Sequence, residues 1–92
     1  MRFEVKSILV GRKKGNDDMV RPCFISMFDV NDPHKKNEVP KKILEFNKIH
    51  KIIIDKLEVN YLLPGNDLVI NNLKYVAIKQ EGPHLIISGE QY

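Results

Sequence analysis

Apolar and polar positions alternate along much of this chain, and the alternation predicts strands. The clearest stretch runs from Tyr61 to Gly89. Pro64-Gly65-Asn66-Asp67 reads as a turn, Leu68-Val69-Ile70 runs out, Asn71-Asn72 reverses and Leu73 to Ile78 runs back. Glu81-Gly82-Pro83 then turns the chain into Leu85-Ile86-Ile87. Asn tolerates the positive φ that both central residues of a type I′ turn need, so Asn71-Asn72 predicts a hairpin with Ile70 facing Leu73. In that register Leu68, Ile70, Leu73, Tyr75 and Ala77 share one apolar face. Asp67, Val69, Lys74, Val76, Ile78 and Gln80 form the other, a mixed surface suited to water or a partner.

Upstream, Phe3 to Val10 predicts a first strand and Met19 to Val30 a second. The second carries Phe24, Phe28 and Val30 on one side and Cys23, Ile25 and Met27 on the other, so it suits a central position buried on both faces. Pro22 has no N–H to give a ladder, which places it at the start of that strand or at a bulge. Polar loops fall at 11–18 and 31–39, and the first is long for a tight hairpin, although antiparallel pairing is the simplest connection. Pro40 suits the first position of a helix. Ile43, Phe46, Ile49 and Ile53 then follow a helical stripe, predicting a helix over 40–49. Ile52-Ile53-Ile54 and the alternation to Tyr61 predict a strand over 52–62. The expected architecture is α+β: one domain over 1–92, a small, mostly antiparallel β-sheet or partly open barrel in the order β-β-α-β-β-β-β, with one helix.

Bulk composition fits this reading. Ninety-two residues with 42% hydrophobic and 29% charged side chains are globular values. A chain of this length supports one small core. The single Cys23 cannot form an intramolecular disulfide, no apolar run approaches the roughly 20 residues that span a bilayer, and the start has no signal-peptide pattern. The expectation is a cytoplasmic protein without membrane contact.

Chemistry-bearing motifs are few. Ser7 and Ser26 fall in expected strands without nucleophile-elbow glycines, and Ser88-Gly89 lies near the chain's end. His34, His50 and His84 belong to no metal-ligand spacing. Asp29-Val30-Asn31-Asp32 opens like a calcium loop, but the sharp-turn glycine is missing and Pro40 stands where the bidentate Glu belongs. These residues read better as turn-formers. Gly11-Arg12-Lys13-Lys14-Gly15 lacks the Lys-Ser/Thr ending of a phosphate loop. Neither catalysis, a metal nor a cofactor is expected.

Charge is the remaining pointer. Fifteen Lys and Arg against twelve Asp and Glu leave a net +3, with most of the positive charge in the first 51 residues. Arg12, Lys13 and Lys14 fill the first loop, Lys35 and Lys36 the second, and Lys41 and Lys42 open the expected helix. If both loops leave the same end of the sheet, these seven form a basic rim that neutralises nucleic-acid phosphates without base specificity. Phe24, Phe28, Phe46, Tyr61, Tyr75 or Tyr92 would supply stacking. The rival expectation is a protein-interaction or assembly module, of the kind a small viral or mobile-element adaptor or inhibitor would be. It would act through a sheet edge or a homodimer interface, with Val69, Val76, Ile78 and Leu85-Ile86-Ile87 as the surface.

Overall fold

A computed structural model describes residues 1–12, 22–54 and 67–92, and shows a small β-rich domain of two sheets with very little helix. The strands are β1 (Arg2–Phe3), β2 (Ser7–Arg12), β3 (Cys23–Phe28), β4 (Lys42–Phe46), β5 (Lys51–Ile54), β6 (Leu68–Ile70), β7 (Leu73–Glu81) and β8 (His84–Gln91). One helical turn, α1 (Pro33–Lys36), lies between β3 and β4. The first sheet has the order β1-β7-β8-β5 and the second β4-β3-β2-β6; the described strands form no closed barrel.

Both sheets feed one core. Ile8 and Val10 of β2 stand across from Met27 and Ile25 of β3, and all four are fully buried. From the other sheet come Ile52, Val76, Ile78, Leu85 and Ile87. The expected first strand is divided between the sheets: β1 pairs with β7, the chain crosses over at 4–6 with Val5 buried, and β2 begins in the second sheet. Pairing of β2 with β3 is antiparallel as expected, and β3 is an interior strand with Pro22 just ahead of it. The sheets are not wholly antiparallel, because β5 pairs parallel with β8. Pro83 O fixes that alignment by accepting from both His50 N (2.8 Å) and Lys51 N (3.3 Å).

Three expectations are corrected. Residues 40–49 are not a helix; Lys42–Phe46 is a strand with Leu44 and Phe46 turned toward the core. An antiparallel partner along β3 outweighs the weak local preference that the Ile43, Phe46, Ile49 spacing expressed. The helical turn begins instead at Pro33, where Asp32 accepts from His34 N (3.2 Å) and Lys35 N (3.4 Å) as N-cap. Asn37, at φ 54, ends it.

Asn71-Asn72 is not a hairpin. β6 pairs with β2, β7 lies in the other sheet, and only Asn72 of the two has positive φ, at 56. One such residue turns a corner between sheets, whereas a type I′ turn needs two.

The faces of β7 are also reversed beyond Leu73. A bulge between Leu73 and Tyr75 adds a residue, so Val76 and Ile78 are buried while Tyr75 and Ala77 turn to the outer face. The hairpin from β7 to β8 holds as expected, with Gly82 at φ 57 and Pro83 as its two central residues. The expected turn at 64–67 and the strand beyond Ile54 fall mostly outside the described residues.

Candidate functional site

Consecutive antiparallel strands place their connections at opposite ends of a sheet, and this decides the fate of the basic rim. The β2–β3 connection leaves beside the Arg12–Cys23 pair, while the β3–β4 connection leaves beside Ser7 and Phe28. Five residues of strand separate those ends, about 17 Å at about 3.4 Å per residue. Lys35, Lys36, Lys41 and Lys42 therefore belong to one end, and Arg12 to the other. Lys13 and Lys14 lie outside the described residues.

Several of these cations are already engaged. Lys41 Nζ lies 3.0 Å from Asp29 Oδ1 and donates to Glu4 O at 3.1 Å, and Lys42 Nζ sits 5.3 Å from the centre of the Phe3 ring. Lys42 thus ties β4, at the margin of one sheet, to β1, at the margin of the other, and Lys41 ties the approach to β4 to the residue after β1. Arg12 is half-buried beside Cys23. Burial pushes the Cys23 thiol up to about 11, against a smaller opposing pull from the Arg12 charge. Lys35 is exposed on α1.

The aromatic residues are likewise dispersed. Phe28 is buried and Phe46 packs against the core. Tyr75 lies under Arg2, 3.8 Å from guanidinium carbon to ring centre, and Tyr92 under Lys74 at 5.2 Å. Tyr61 is outside the described residues. Of the surface expected for protein contact, Val76, Ile78, Leu85 and Ile87 are core residues, leaving Val69 and Ile86 half-buried.

What the structure brings forward is β4. It ends its sheet, and among the described residues only β3 pairs with it. Leu44 stands across from Ile25 and Phe46 across from Cys23, so the inward side is committed to the core. Ile43 and Glu45 point the other way, Ile43 being 56% exposed, and Val39 just ahead of the strand is 84% exposed. On that outer face Ile43 continues into a row with Ser26, Leu9 and Val69, all half-buried. The Leu44-Glu45-Phe46 alternation was the available signal for this strand, and the helical spacing of the isoleucines masked it.

Comparison of the chain with protein-family models, with curated proteins and with solved structures finds no match. Ser7, the one buried polar residue described, donates its hydroxyl to Val30 O at 2.7 Å, a structural bond that closes the end of β3. Among the described residues no three His, Cys, Asp or Glu side chains group to hold a metal ion. In the same set no helix is long and apolar enough to cross a membrane. On the outer face of β7, Lys79 and Glu81 pair at 2.5 Å, and the bond and charge of Lys79 hold the Glu81 carboxyl below its ordinary value.

Proposed function

We propose that this chain is a non-catalytic interaction module that takes up a partner protein along the β4 edge. The observation that carries it is the position of β4 at the sheet margin with exposed Val39 and Ile43 beside it. A strand in that position offers a row of backbone donors and acceptors to an incoming extended segment, and side chains of alternate residues set its specificity. Commitment of the Ser7 hydroxyl to Val30 O supports a binding role over a nucleophilic one. A cytoplasmic location goes with this role, since the lone buried Cys23 suits a reducing compartment.

The test is an NMR titration with extended peptides of alternating apolar and polar residues. Shift changes concentrated on Lys42–Phe46 and Val39 support the edge; changes confined to other strands refute it.

Nucleic-acid binding is the second reading, and one observation favours it: Lys35, Lys36 and Lys41 come from the β3–β4 connection and Lys42 opens β4 at the same end of the sheet. It is the weaker one, because Arg12 stands at the far end of the sheet from these four. Fluorescence anisotropy with single- and double-stranded oligonucleotides at several salt concentrations decides it. Phosphate contacts give affinity that falls steeply with salt, and no binding at low salt ends this reading.

A further inference from the structure

The sequence of the β4 edge is self-complementary in a single register. We propose that the edge is occupied by a second copy of this chain, paired antiparallel about a twofold axis at Ile43. This rests on β4 being the contact edge. A twofold axis normal to the sheet keeps each face on its own side and joins two four-stranded sheets into one of eight.

Centred on Ile43, the pairing sets Ile43 against its copy, Lys42 against Leu44, and Pro40 against Phe46. Lys41 stands across from Glu45 on both sides of the axis. Other centres fit worse. One at Leu44 sets Ile43 against Glu45 and Lys42 against Phe46. One at Lys42 opposes two ammonium groups, and one at Glu45 two carboxylates, and like charges directly opposite destabilise a strand pair. Charges on an edge strand ordinarily prevent pairing. Here a cation and an anion placed symmetrically about an exposed isoleucine select one register instead. Lys41 stands just ahead of the strand, at a bend, and its N–H is held to Met27 O at 2.8 Å, which fixes it beside the edge. Its side chain exchanges Asp29 and the Glu4 carbonyl for Glu45 of the copy at small cost, because both contacts are solvent-exposed, the Asp29 pair at 43% and 65%.

Sedimentation velocity from low micromolar to near-millimolar concentration tests this on the full chain. The expected result is a monomer–dimer equilibrium. Glu45→Lys turns two attractive cross-strand pairs into repulsive ones and weakens the dimer roughly tenfold; Lys41→Glu does the same. The double variant K41E/E45K restores the pairing with the charges exchanged, and that rescue also shows that the single variants were folded. A monomer at every concentration overturns the proposal, as does a dimer indifferent to either single variant, or a double variant that fails to recover. A monomer that still takes up a foreign peptide along β4 overturns self-pairing alone. A dimer whose β4 amide signals do not change with concentration, in a chain whose β4 also ignores the peptides, overturns the edge role as well.

Discussion

Gly89 has no room for a side chain, and replacing it tests the bulge that sets the inward face of β7. Gly89 stands across from Val76, beside the register shift at Leu73/Tyr75. A Cβ there would lie 3.0 Å from Tyr75 O and 3.2 Å from Leu73 Cδ2. A leucine tip can rotate away, whereas a carbonyl in a paired strand cannot. Overpacking of this kind costs about 1–3 kcal/mol. The loss of chain freedom in the unfolded state offsets about 0.4–1 kcal/mol of that. Gly89→Ala should therefore destabilise by about 1–2 kcal/mol, lowering Tm by roughly 4–16 °C in a domain of this size. Urea unfolding should show a lower midpoint with an unchanged slope. Because the carbonyl is the harder obstacle, most of the penalty should persist in a Leu73→Ala background. Gly82→Ala is the contrast: its Cβ would meet nothing within 4 Å, so any cost comes from φ 57 alone. A Gly89→Ala protein as stable as the parent would refute the close approach and, with it, the bulge that buries Val76 and Ile78.

Other consequences follow from the core and the thiol. Ile52→Ala, at a fully buried position, should cost about 2–5 kcal/mol, whereas its neighbour Ile53, 36% exposed, should cost below about 1 kcal/mol by the same denaturation assay. Ser7→Ala leaves Val30 O without its 2.7 Å donor and should cost about 1–3 kcal/mol. Cys23 holds its proton to about pH 11 when folded, against 9.0 ordinarily, so between these values the unfolded chain binds fewer protons and stability falls as pH rises. The loss, up to about 3 kcal/mol, should be missing from Cys23→Ala, and a parallel decline in both proteins would exclude the thiol as its cause.

Much of the strand content was legible because alternation reports burial directly. The interior position of β3 was visible in Cys23, Ile25 and Met27, and the β7–β8 hairpin in Gly82-Pro83, where local turn chemistry and the ladder agree. Misreadings arose where two local signals were equally good. Ile43, Phe46 and Ile49 satisfy a helical stripe, yet Leu44 and Phe46 pack inward as a strand's alternate residues do. Pro40 and Pro33 both suit a helix start, and only Pro33 follows an N-cap whose carboxylate takes two backbone N–H groups. At Asn71-Asn72 the choice between a hairpin and a corner depends on which strand β6 meets, and its partner β2 lies some sixty residues away in the chain. The site was harder still. A basic rim from two loops requires both to leave the same end, whereas these two flank the single strand β3 and so leave its opposite ends. Edge position is a property of sheet order, which no local window contains.

Backbone hydrogen exchange of Lys42–Phe46 tests the central claim most directly. Alternate residues of an edge strand direct their N–H groups away from the sheet, and these exchange freely until a second strand pairs with them. Measured by NMR at low and high protein concentration, the fast-exchanging amides of β4 should become protected as concentration rises, while those of the interior strands β2 and β7 keep their rates. β4 amides that exchange at the same rate at all concentrations and with every peptide offered would contradict a binding role for this edge.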